Sequence, residues 1–135
     1  DGAFAHAAAI ELPDGRIITA EAGHLLGSSA ALLLNAMKEL AGIDHAVRLI
    51  PENIIEPIQQ TKISYLHGQN PRLHTDEVLV ALSVLSLQDE NCRKALDTLP
   101  LLKGCQAHST VMLKEVDWRT FKKLGIDLTT DPAKK

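Results

Sequence analysis

The stretch Gly27-Ser28-Ser29-Ala30-Ala31-Leu32-Leu33-Leu34-Asn35-Ala36-Met37-Lys38-Glu39-Leu40-Ala41-Gly42 predicts a helix with both ends marked, and the rest of the chain reads as packed around it. The serine pair offers side-chain acceptors for the orphan amides of a first turn, and Gly42 sits where a left-handed residue ends a helix. Asn35, Lys38 and Glu39 are its strongly polar residues and share one narrow face, so most of the circumference must be buried. A helix that apolar needs protein on more than one side.

Outward from this helix the pattern is that of an α/β sheet. Ala3 to Leu12 is short-chained and apolar, Pro13-Asp14-Gly15 makes a turn, and Arg16-Ile17-Ile18-Thr19-Ala20 is a β-branched run, which together predict a β-hairpin. After the central helix, Ala46-Val47-Arg48-Leu49-Ile50 reads as a third strand stopped by Pro51. A helix from Glu52 to about Leu66 should break or kink at Pro57. Thr75 is placed to cap the next helix, whose first turn carries Asp76 and Glu77 with the sign its dipole favours, and Asp89 to cap another through Leu99. Cys105 to Leu113 is a fourth strand, Trp118, Phe121 and Leu124 recur at helical spacing, and Ile126-Asp127-Leu128-Thr129 after Gly125 is a fifth, edge strand. The order predicts a mixed sheet of about five strands with helices on both faces.

At 135 residues the chain fits one α/β domain with a core of its own. It opens Asp1-Gly2-Ala3-Phe4 without an initiator Met, which favours a piece of a larger protein. Hydrophobic content is 45% with 3% aromatic, so Ala, Leu, Ile and Val must build the core. A net charge of -3, with basic pairs only at Lys122-Lys123 and Lys134-Lys135, leaves no electrostatic footprint for nucleic acid. Two cysteines, Cys92 and Cys105, lack metal spacing and read as reduced, cytoplasmic thiols. The longest apolar run, Val78 to Leu87, is too short and too interrupted to span a membrane.

Ala9-Ile10-Glu11-Leu12-Pro13-Asp14-Gly15-Arg16-Ile17, Leu34-Asn35-Ala36 with Leu40-Ala41-Gly42-Ile43, Val78 to Ser83, Leu102-Lys103-Gly104-Cys105 and Lys123-Leu124-Gly125-Ile126 closely resemble the C-terminal part of the bacterial family called domain of unknown function 1846. The resemblance covers nearly the whole chain in order. It implies a C-terminal subdomain of a protein several times longer, a three-layer sandwich of the cytidine-deaminase-like type, and upstream domains of the same polypeptide as partners, with a homo-oligomer also open.

The fold analogy can be set against chemistry. A zinc deaminase needs H-x-E at the start of the helix after the hairpin and P-C-x-x-C where the next helix begins. Here those places hold Ser28-Ser29-Ala30-Ala31 and Pro51-Glu52-Asn53-Ile54-Ile55. Without thiolate or imidazole ligands no zinc-bound hydroxide forms, so neither a metal nor another cofactor is expected.

Candidate ligand contacts remain, without an assigned catalytic residue. Gly27, Ser28 and Ser29 at a helix start suit an anion, or are an ordinary cap; no basic residue lies near in sequence. Asn70 and His74 flank a capped helix and reach a cleft, or lie on an exposed loop. His108, Ser109 and Thr110 end a sheet strand, where this fold type places ligands. Strand alternation turns Cys105 and Ser109 away from His108 and Thr110, which weakens a Cys/His nucleophile. Two functions follow: an assembly subdomain of a larger cytoplasmic protein, or an enzyme domain acting on a nucleotide or another phosphate-containing small molecule at a cleft shared with upstream domains.

Overall fold

The hairpin forms where Pro13-Asp14-Gly15 turns the chain. The computed structural model describes residues 6–131, so Ala3, Phe4 and Ala5 of the expected first strand and the Lys134-Lys135 pair lie outside the described residues. Within them β1 (Ala7–Glu11) pairs antiparallel with β2 (Ile17–Glu21), Ile10 opposite Ile18. Gly15 adopts φ +92°, and Asp14 accepts from the Arg16 amide at 3.1 Å and its Nε at 2.6 Å, which closes the turn.

The central helix α1 spans Ser28–Ala41 and ends as expected. Gly42 is left-handed (φ +70°), and the amides of Gly42 and Ile43 bond back to Glu39 and Lys38. The other helices are α2 (Glu52–Gln60), α3 (Thr75–Leu85), α4 (Glu90–Asp97) and α5 (Glu115–Lys123). Asp89 caps α4, accepting from Asn91 and Cys92 amides at 2.8 and 3.2 Å. Pro57 does not break α2: the helix runs through it and then widens into a π-helical turn, Thr61–Tyr65. The carbonyl that proline leaves unpaired, that of Asn53, sits in an exposed stretch where water can replace the lost bond.

The sheet has four strands, not five, in the order β2-β1-β3-β4, with β3 (Gln106–Ser109) antiparallel to β1 and β4 (Asp127–Thr130) parallel to β3. The edge strand is where it was expected. The missing strand is Ala46–Ile50, which forms turns. Backbone groups in and just before it are satisfied another way: Asp44 Oδ1 accepts from the Ala46 amide, the buried Lys38 ammonium donates to the carbonyls of His45 (2.8 Å) and Val47 (2.9 Å), and Cys92 donates to that of Leu49. Carbonyls turned toward an amine cannot serve a ladder. Strand β3 is shorter than the expected 105–113 because Ser109 Oγ bonds both the carbonyl and the amide of Val111, folding the chain off the sheet.

The expected third layer is also absent among the described residues. Ala8, Ile10, Ala20, Ala107 and Ser109 are buried on one face, in the same core as Leu32, Leu33, Met37 and Phe121, and all described helices that touch the sheet stand there. The other face carries the cross-strand rows Thr19, Ala9, His108, Thr129 and Ile17, Glu11, Gln106, Asp127, most of them exposed. An antiparallel sheet tolerates one wet face, and this alternation of small apolar with polar residues is its sequence form. No helix among the described residues is long and apolar enough to cross a membrane.

Candidate functional site

Strands β2, β3 and β4 run the same way, so their C-terminal ends meet at one edge of the sheet, where α1, α3 and α5 begin. A short parallel bridge sets two of those beginnings side by side: Leu73 donates to Leu25 O at 2.9 Å and Gly27 to Leu73 O at 3.2 Å. Between them lies a cleft of about 280 Å³.

Five of the sequence-derived candidates, Gly27, Ser28, Ser29, Asn70 and His74, line that cleft. Asn70 shapes its loop, Oδ1 accepting from the Arg72 amide at 3.0 Å. The other three candidates are placed differently. His108 stands on the open sheet face, its ring nitrogens 2.6 Å from Thr129 Oγ1 and 2.7 Å from Asp131 Oδ1, so Ser28, His74 and His108 share no cavity. Ser109 is buried in its own turn, and the Thr110 hydroxyl accepts from the Ala7 amide at 3.0 Å, closing the strand end.

The helix starts differ in a way the sequence does not announce. Ser28 and Ser29 are not caps: Gly27 occupies the cap position with no side chain to offer, and the serines are the first two helical residues. The amides of Ser28, Ser29 and Ala30 have no hydrogen-bond partner among the described residues, and the first turn holds no acidic side chain. Ser29 is 2% exposed and its hydroxyl is likewise unpartnered. At α3 the cap position is His74 and not Thr75, and the start is closed twice over. Glu77 accepts from the His74 amide at 2.8 Å, while Asp117 reaches across from α5 to accept from the Thr75 amide (2.9 Å) and hydroxyl (2.8 Å). Asp117 Oδ2 lies 3.5 Å from His74 Nδ1.

Two cations that sequence proximity did not supply line the cleft, Arg72 and Lys114. Neither has a carboxylate partner among the described residues; Arg72 Nε bonds the Gly23 carbonyl, which leaves its terminal nitrogens free. Arg72 on one side and Lys114 with Asp117 on the other escape sequence reading because they come from the separate starts of α3 and α5, about forty residues apart. The spacing Asn70-x-Arg72-x-His74, alternating along an extended segment ahead of a helix, was the one local signal. Elsewhere, a cavity of about 320 Å³ beside α1 holds Lys38, whose ammonium is already bonded to two carbonyls; burial pushes its pKa down. Burial raises both thiols, Cys92 to about 11, so neither is an activated nucleophile. Among the described residues no group of three or more His, Cys, Asp or Glu is gathered as a metal site would need.

The chain is 56% identical over 127 residues to a UPF0371 protein of Corynebacterium aurimucosum, covering 94% of this chain and 26% of that protein. It is 53% identical over 128 residues to UPF0371 protein CE2832 of Corynebacterium efficiens (95% and 26%), and 44% identical over 126 residues to UPF0371 protein stu1377 of Streptococcus thermophilus (93% and 26%). It thus spans about a quarter of the length of the curated relatives it matches. The model of the C-terminal domain of unknown function DUF1846 matches residues 2–135, and the chain belongs to that family.

Proposed function

We propose that this chain is a C-terminal assembly subdomain of a larger cytoplasmic bacterial protein, a deaminase-like scaffold without zinc ligands that docks on the preceding part of its own polypeptide. One observation carries the reading. Helix α3 is apolar nearly all round, yet only one side of it meets the core: Val78 and Leu82 are buried, whereas Val80 and Val84, one turn apart, are 65% and 63% exposed and Leu87 just beyond is 83% exposed. Covering each would contribute on the order of 1–2 kcal/mol. An apolar stripe of this kind marks a surface made for a neighbour, and the relatives supply one, the three-quarters of their length that this chain does not match. A scaffold of deaminase type is supported by the hairpin, helix and parallel strand order and by β1 alone running against the other three strands. The two free thiols support a reducing compartment.

The test is site-specific alkylation in the full-length gene product. Val84→Cys should be protected from iodoacetamide in the native protein and modified fully on unfolding, as read by mass spectrometry of its peptide. Alkylation of the native protein as fast as the unfolded one would remove the docking reading. Protection that disappears on dilution to monomer would assign the stripe to a second copy instead.

A further inference from the structure

We propose that the cleft at the start of α1 is a binding site for the phosphoryl group of a small phosphorylated metabolite. The inference is independent of the docking surface, which lies on another part of the fold.

The donors point to the class of ligand. Three consecutive amides, Ser28 to Ala30, have no partner among the described residues and stand at the positive end of a 14-residue helix. The Ser29 hydroxyl, buried and unpartnered, adds a fourth donor beside them. Arg72 and Lys114 bring two positive charges to the same cleft, and neither is ion-paired with a carboxylate among the described residues. A carboxylate presents two oxygens in one plane and one negative charge; a tetrahedral dianion with three terminal oxygens matches three amides, a hydroxyl and two cations better in both geometry and charge. The one acid lining the cleft, Asp117, has Oδ1 bonded to Thr75 of α3 and Oδ2 next to His74, so its charge serves the neighbouring helix. At about 280 Å³ the space is just under the roughly 300–1,000 Å³ of ordinary small-molecule pockets, so it suits a compact phosphate monoester better than a nucleoside triphosphate.

The bare start of α1 is not imposed by the backbone. Gly27 has φ -69° and ψ 165°, ordinary cap geometry open to any residue, and a Cβ there would meet only Leu73 O at 3.8 Å. Serine or aspartate would fit and would cap the helix. That gives a variant in which stability and binding move in opposite directions: Gly27→Asp puts a carboxylate where the phosphoryl group would sit.

Binding is measured by calorimetry on the full-length gene product at fixed ionic strength, with inorganic phosphate, glycerol 3-phosphate and acetate as probes. Phosphate and glycerol 3-phosphate should bind and acetate should not; tighter binding of glycerol 3-phosphate identifies an ester, and equal affinity identifies free phosphate as the ligand. Arg72→Gln should weaken binding at least about tenfold, and Gly27→Asp should abolish it while raising Tm. Absence of binding to the wild-type protein at 20 mM phosphate, or binding that survives both substitutions, overturns the proposal.

Discussion

Removal of the Asp117 carboxylate should weaken the fold more than any surface charge change, because that group finishes a helix to which it does not belong. Thr75 is fully buried, and its amide and hydroxyl have one acceptor in common, Asp117 Oδ1, at 2.9 and 2.8 Å. Asp117→Ala orphans both groups at roughly 1–3 kcal/mol each and deletes a negative charge at the start of α3, about 0.3–1 kcal/mol more. Water entering the vacated space offsets part of this, so the expected loss is about 3 kcal/mol. Asp117→Asn keeps an oxygen for both bonds and loses only their charge, about 1 kcal/mol. Thr75→Val removes one donor and should cost about 1 kcal/mol alone. In the Asp117→Ala background it should cost nothing or be favourable, since it deletes an orphan. The assay is urea unfolding of the 135-residue chain followed by circular dichroism. With a slope of roughly 2 kcal/mol/M, Asp117→Ala lowers the midpoint by about 1.5 M. If it costs no more than Asp117→Asn, or if the two sites prove additive, the carboxylate does not tie α5 to α3 and the account of this helix start is wrong.

Two other perturbations follow from single residues. Burial holds the Cys92 thiol near 11 against 9.0 for a free thiol, so the unfolded chain loses that proton first. The stabilisation is whole below pH 9 and disappears as pH climbs through about 11. The stability difference between the wild type and Cys92→Ala should therefore shrink by about 2 kcal/mol over that window, and a pH-independent difference would contradict it. Gly42→Ala meets no atom within 4 Å, so only the left-handed φ of +70° resists it. About 1 kcal/mol and a Tm lower by about 4 °C are expected from thermal unfolding, and an unchanged Tm would show that the helix end relaxes.

What could be read in the sequence was whatever is decided locally. The Pro13-Asp14-Gly15 turn, the glycine stop after α1, the Asp89 cap and the short strand after Gly125 each depend on residues within one turn of one another, and each is found. Ala46–Ile50 has strand composition, but a lysine on α1 captures its Val47 carbonyl and that of His45 just before it, and Cys92 captures that of Leu49; no pattern in the segment records that. The serine pair has the composition of a cap but begins one residue too late, because the Leu26–Leu73 bridge sets where the helix can begin. The cleft was half legible for the same reason. Its polar residues flanking helix starts stood out, while its cations were invisible until α1, α3 and α5 converged.

The contrast among the helix starts is an energetic statement as well as a geometric one. Glycine in place of a capping side chain costs a few tenths of a kcal/mol and an orphaned buried hydroxyl roughly 1–3 kcal/mol, so the start of α1 carries a deficit on the order of 1–3 kcal/mol in a fold whose total stability is expected to be roughly 5–15 kcal/mol. The neighbouring start of α3 has two carboxylates committed to it, so the fold is able to close such an end. Gly27 could do the same with one side chain, and nothing steric opposes it. A helix start that one substitution would cap, left bare beside an unpartnered buried hydroxyl, is what a site kept for a ligand looks like, since stability and function trade against each other at such places. The same deficit sets what the ligand returns: an anion satisfying those four donors removes the strain it found, and the folded state gains stability in proportion to its occupancy.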